Sequence, residues 1–138
     1  MEKLTRRSFV TTAVAVGAGV TLASANPGSS IQKKDKMKLT HHVFFWLKNP
    51  DSKEDRDKLI EGLNTLRKIE TVKKLHIGIP ASTEKRDVVD NSYQVSELMF
   101  FDDVEGQDVY QVHPLHKKFV EQYSHLWSKV LVYDSIEV

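Results

Sequence analysis

The amino-acid sequence predicts one α+β domain with the element order β-α-β-β-α-β. Two segments carry apolar residues at helical spacing, and four short stretches are rich in aromatic and β-branched residues. Gly, Pro, Asn and Asp clusters punctuate the joins between them. The length of 138 residues leaves about 113 once an N-terminal leader is set aside, close to the commonest size for a single compact domain. At 40% hydrophobic and 28% charged residues, the composition is that of a chain able to bury a core, not of a disordered segment.

The leader has three parts in order. Thr5-Arg6-Arg7-Ser8-Phe9-Val10 forms a basic start, an apolar run extends from Ala13 to Leu22, and the small residues Ala23-Ser24-Ala25 follow. This is the layout of a signal peptide, and the paired arginines fit the twin-arginine export pattern, with Val10 and Thr11 replacing its usual leucine and lysine. The apolar run is about half the ~20 residues a membrane-spanning helix requires. Residues 1–25 are therefore expected to be a twin-arginine signal peptide, residues 26–37 a flexible lead-in, and residues 38–138 the folded domain. That organisation predicts a periplasmic protein that meets the membrane only transiently, during export.

Without the leader, 17 basic residues face 18 acidic ones, so no broad basic surface is available to neutralise phosphates. Nucleic acid is set aside as a partner. The chain has no cysteine, which removes disulfides, thiolate nucleophiles and Cys-ligated metals and suits an oxidising compartment.

Residues 39–47, LTHHVFFWL, read as a strand buried on both faces. Side chains alternate along a strand, so His41, Val43, Phe45 and Leu47 share one side, and His42, Phe44 and Trp46 the other. Pro50-Asp51-Ser52 supplies turn and cap residues ahead of Leu59, Ile60, Leu63, Leu66 and Ile69, the stripe of an amphipathic helix of about 17 residues. Residues 72–79 form a second strand, followed by a polar loop through Asn91. The third strand, residues 93–101, places Tyr93, Val95, Glu97, Met99 and Phe101 on one side, with Glu97 as the single charge among apolar neighbours.

A short helix over residues 104–112, weakened by Gly106, stops at His113-Pro114, and proline suits the first turn of the helix that follows. That helix, residues 114–129, carries Leu115, Phe119, Val120, Tyr123, Leu126 and Trp127 on its apolar stripe and aims His116 inward. Residues 130–138 close the chain as a strand. This order is the ferredoxin-like arrangement, a four-stranded antiparallel sheet with helices on one face. The other face would expose Phe44 and Trp46, so a second copy is expected to cover it in a homodimeric α+β barrel.

The strand opening with His41 and ending in Lys48, the strand 93–101 leading into Asp102-Asp103-Val104-Glu105, and Tyr110-Gln111-Val112-His113-Pro114-Leu115-His116 together resemble the stress-responsive A/B barrel domain family, called Dabb. Its members are dimeric α+β barrels, and one plant member closes a polyketide ring by aldol chemistry in a pocket between sheet and helices. The resemblance implies His116 as general base, Tyr110 as its phenolic partner and His41 as a second polar group. Val43, Phe45, Glu97, Phe119 and Trp127 would line the pocket.

The residues themselves allow that chemistry, because imidazole titrates near neutral pH and can remove a proton next to a carbonyl. A phenol can stabilise the resulting enolate. No cofactor and no metal are expected: His113-x-x-His116 lacks a third ligand at a matching interval, and His113 suits a helix cap instead. The ligand is expected to be a small apolar or carbonyl compound. Three functions follow: a cofactor-independent cyclase, lyase or isomerase using His116; a non-catalytic dimeric ligand-binding or stress-response protein; or a cofactor-independent monooxygenase-like enzyme.

Overall fold

The computed structural model describes residues 38–138, so the signal-peptide and lead-in readings for residues 1–37 lie outside the described residues. Strand β1 (Leu39–Leu47) is followed by helix α1 (Lys53–Thr65), β2 (Lys74–Gly78), β3 (Val95–Phe101), helices α2 (Val104–Val112) and α3 (Pro114–Tyr123), and β4 (Trp127–Ile136). The strands form one antiparallel sheet in the order β2-β3-β1-β4. This is the ferredoxin-like α+β fold that the sequence predicts.

Alternation along β1 sets the two faces. His41, Val43, Phe45 and Leu47 are buried, while His42, Phe44 and Trp46 are half-buried. In register with the inward set lie Glu97 and Met99 of β3 and Val130, Val132 and Asp134 of β4, because residues directly opposite in an antiparallel pair project to the same side. Helix α1 starts where Ser52 accepts a hydrogen bond from the Asp55 amide, and it lays Leu59 and Leu63 on the inner face with no exposed surface. Leu66, in the 3₁₀ turn that continues the helix, completes the stripe. Gly62 lets α3 approach closely: a Cβ there would sit 2.7 Å from Cδ2 of Tyr123, nearer than packed carbon atoms tolerate.

The sequence-based boundaries shift in four places. Helix α1 has 13 residues and ends in a 3₁₀ turn instead of running for about 17. Strand β2 is five residues long, since the chain from Ile69 to Lys73 is used for a turn and the approach to the sheet. Tyr93 precedes β3 and lies with the outer face, its ring 4.9 Å from Phe44 and 6.4 Å from Trp46, because the chain bends before Val95. Helix α3 stops at Tyr123, and Trp127 opens β4 opposite Leu47. Trp127 therefore reaches the core from the sheet and not from a helix.

Among the described residues, no helix lies over the outer face. Phe44, Trp46, Leu98, Phe100 and Leu131 are half-buried there, and Tyr133 is exposed. Lys129 stands 4.3 Å over the Trp46 ring, and Lys74 stands 5.7 Å over Phe100, so the apolar centre has a basic rim.

Candidate functional site

The inner face gathers the chemistry-bearing residues from β1, β3, α2, α3 and β4. Tyr110, in the last turn of α2, is buried with its ring between two imidazoles, 5.7 Å from His41 and 4.5 Å from His116 by ring centroids. His116 reaches this position because His113-Pro114 breaks the chain between α2 and α3. His113 is the N-cap of α3, accepting from the Leu115 amide through Nδ1, while its Nε2 lies 3.6 Å from Glu70. His113 is thus a capping residue, and the turn it fixes brings His116 back beside Tyr110, one helix earlier.

His116 and His41, the two imidazoles beside Tyr110, are each held through Nδ1. The Nδ1 of His116 lies 3.1 Å from the carbonyl oxygen of Gln111; a carbonyl only accepts, so Nδ1 carries the hydrogen. In the neutral ring, Nε2 then keeps its lone pair. Burial, reinforced by the positive charge His41 carries when protonated, holds His116 below the usual imidazole range, against the opposing pull of the Gln111 carbonyl. A neutral imidazole with a free lone pair is the form a general base requires. His41 is oriented in the same way, its Nδ1 2.5 Å from Oδ1 of Asp134 across the β1–β4 ladder.

Asp134 is the residue that sequence reasoning missed. Its signal was available: Val130, Val132, Asp134 and Ile136 alternate onto one side of β4, so a carboxylate at that register faces the same way as His41. Half of the Asp134 side chain is exposed, and Val130, Val132 and Ile136 on that side are open to solvent. The cluster therefore meets water along the inner side of β4.

Glu97 is 1% exposed, because β3 is an interior strand and the side chain faces the helix layer. Its Oε1 lies 3.5 Å from the Tyr110 hydroxyl. Burial pushes the Glu97 carboxyl up to about 8, with the Tyr110 hydroxyl opposing weakly, so it is largely protonated at neutral pH. The Tyr110 phenol is pushed above its usual range, first by burial and then by Glu97.

The apolar wall continues from this cluster. Phe119 lies 6.5 Å from His116 and 5.7 Å from Trp127, and Trp127 lies 5.2 Å from Phe45. Val43, in register between Glu97 and Val132, completes the sheet side. Of the residues expected to form a site, His41, Tyr110, His116 and Glu97 thus come together, with Val43 as their sheet neighbour and Phe45, Phe119 and Trp127 as a connected aromatic wall. Among the described residues, no group of three or more His, Asp or Glu side chains is placed to hold a metal ion.

A four-stranded antiparallel sheet with its described helices on one face places the chain in the class of small ferredoxin-like α+β domains. The stress responsive A/B barrel domain matches residues 39–137, and the chain belongs to that family. Among solved structures, a protein from Arabidopsis thaliana is 27% identical with a TM-score of 0.61, covering 72% of this chain and 95% of its own. A Dabb family protein from Mesorhizobium loti is 22% identical with a TM-score of 0.59, covering 72% and 96%. The hydroxynitrile lyase of Passiflora edulis is 20% identical with a TM-score of 0.62, covering 72% and 93%, a likeness of fold. A dimeric ferredoxin-like protein from Thermobifida fusca shares 17% identity at a TM-score of 0.59, covering 73% and 92%. No curated protein sequence matches the chain.

The buried Glu97 makes stability pH-dependent. Its folded-state value is raised above that of an unfolded glutamate, so the folded state binds the extra proton and stability falls as pH rises from about 4.5 toward 8. The slope from this group approaches about 1.4 kcal/mol per pH unit inside that window and vanishes above it. Urea unfolding of the wild type against Glu97→Gln at pH 5, 7 and 9 should show the difference in stability between the two changing by several kcal/mol; a constant difference would mean that Glu97 ionises normally.

Proposed function

We propose that the protein is a cofactor-independent acid/base enzyme of the cyclase, lyase or isomerase kind, acting on a small carbonyl compound with His116 as the general base. The observation that carries this reading is the placement of the Tyr110 ring 4.5 Å from a half-buried His116 whose Nδ1 is committed to the Gln111 carbonyl, leaving Nε2 to take a proton. In the proposed step, His116 Nε2 removes the proton next to the carbonyl. The Tyr110 hydroxyl then donates to the oxygen on which the charge develops. His41, oriented by Asp134, is a second polar group for the bound oxygen or for returning the proton. Phe45, Phe119 and Trp127 give the apolar part of the ligand a wall. That the fold also carries a lyase, the Passiflora protein, supports a lyase-like activity by analogy alone.

The ligand need not be known to test this. Small enolisable ketones and aldehydes in D₂O report base action as loss of the α-proton NMR signal. The wild type should accelerate that exchange, and His116→Ala should lower it by about 10²–10⁴-fold with ligand-induced chemical shifts retained. Equal exchange in both proteins sinks the catalytic reading; binding without exchange in either one favours the non-catalytic ligand-binding protein.

A second copy of the chain, in this reading, covers the outer face carrying Phe44, Trp46, Leu98, Phe100 and Leu131, as the dimeric state of the Thermobifida fusca protein suggests. Leu131→Asp should convert the dimer to a monomer in sedimentation velocity, and a wild type that sediments as a monomer at tens of micromolar removes the proposal. Export completes the reading: Arg6-Arg7 and the apolar run after them would send the folded domain to the periplasm. Replacing both arginines with lysine should leave the protein in the cytoplasmic fraction, whereas unchanged periplasmic recovery argues against the twin-arginine route.

A further inference from the structure

Glu97 is a carboxyl group that the proposed chemistry does not use, yet its placement is costly. It sits on the inner side of an interior strand, in register with Val43 of β1 and Ile77 of β2, and is 1% exposed. Among the described residues, no Lys, Arg or His lies at ion-pair distance from it. The one side-chain hydrogen bond it has there is with the Tyr110 hydroxyl, 3.5 Å from Oε1; towards an ionised Glu97 the phenol is the donor, and only a protonated carboxyl can reverse that direction. The titratable groups above it belong to other elements: Tyr110 from α2, His116 from α3 and His41 from β1, the last held by Asp134 of β4. Helix α1 contributes the apolar Leu59 and Leu63 to this layer.

An ionised carboxylate only accepts hydrogen bonds and would leave most of its lone pairs unsatisfied in such a place. A protonated carboxyl has a proton to donate. A phenol next to it can accept that proton at its oxygen while pointing its own hydrogen elsewhere. A carboxylic acid kept neutral by an apolar site so that it can donate is an established physical device.

We propose that Glu97 is a positioning residue for Tyr110: as a neutral carboxylic acid it donates to the phenol oxygen, leaving the phenol hydrogen to turn away from Oε1 and toward a bound ligand. The inference rests on the reading of Tyr110 as a donor to bound ligand and adds the group that aims it. Tyr110 then has a fixed donor direction before any ligand arrives, and the pair offers two protons in series to a developing oxyanion. No proton leaves the pair in this arrangement. Glu97 keeps its own, and Tyr110 shares its hydrogen without transferring it.

Carbon-13 NMR of the full domain, labelled at Glu Cδ and Tyr Cζ, tests this without a ligand. The Glu97 and Tyr110 signals are assigned by their loss in Glu97→Gln and Tyr110→Phe. At pH 7 the Glu97 Cδ should resonate as a protonated carboxyl, and a single step at alkaline pH should move both it and Tyr110 Cζ. In Glu97→Gln, whose amide can still donate, Tyr110 Cζ should keep its neutral-pH position and lose that step. A Glu97 signal that is already ionised at pH 7, or a Tyr110 Cζ that ignores the Glu97 step, overturns the proposal. Either failure leaves His116-dependent proton exchange untouched, whereas loss of that exchange reading would leave the Glu97–Tyr110 coupling measurable.

Discussion

The constraint on which the structure depends is that, among the described residues, a four-stranded sheet carries its helices on one side only. The pleat of β1 divides LTHHVFFWL into an inward set that ends in the core and an outward set that does not, and everything else follows that division. Helix α1 can bury Leu59 and Leu63 because His41, Val43, Phe45 and Leu47 present a continuous floor. The same floor forces any polar group at an inward position to find a partner within the layer or give up its charge. His41 takes the first course with Asp134. Glu97 takes the second, and the consequence is a buried acid adjacent to a buried phenol.

This environment accounts for the chemical character of the site. Desolvation acts in opposite directions on acids and bases: it raises Glu97 and Tyr110 and lowers His116. Around neutral pH all three are then uncharged, so the cluster holds donors and one basic nitrogen without a fixed ionic charge among them. Such a set suits a neutral carbonyl ligand better than a phosphate or a carboxylate, which would look for cations. The broken helix between α2 and α3 contributes geometry: capping by His113 and the proline after it fold the chain so that two aromatic residues six positions apart face each other.

Much of the fold was legible because each element announced itself locally. β1 could be bounded to the residue since it is apolar, β-branched and followed by turn residues, and α3 could be started at Pro114 for the reason that proline favours a first turn. Helix ends were harder to read. Leu126 and Trp127 continue the helical spacing of α3, yet pairing of Trp127 with Leu47 across the sheet outweighs one more helical turn. Tyr93 likewise keeps the alternation of β3 but lies outside it, because the bend before Val95 swings its ring against Phe44.

What the sequence determined alone is the set of inward-facing residues, since alternation and helical periodicity are local properties that each residue carries with it. His41, Val43, Phe45, Glu97, His116 and Phe119 all reach the inner layer as periodicity requires. Which of them meet depended on sheet order and register, which join residues dozens of positions apart. Only the pairing of β1 with β4 puts Asp134 beside His41, and only the interior position of β3 removes Glu97 from water and holds it neutral under Tyr110. Periodicity sets the direction of a side chain; tertiary structure sets its dielectric surroundings and its partners, and those decide its charge.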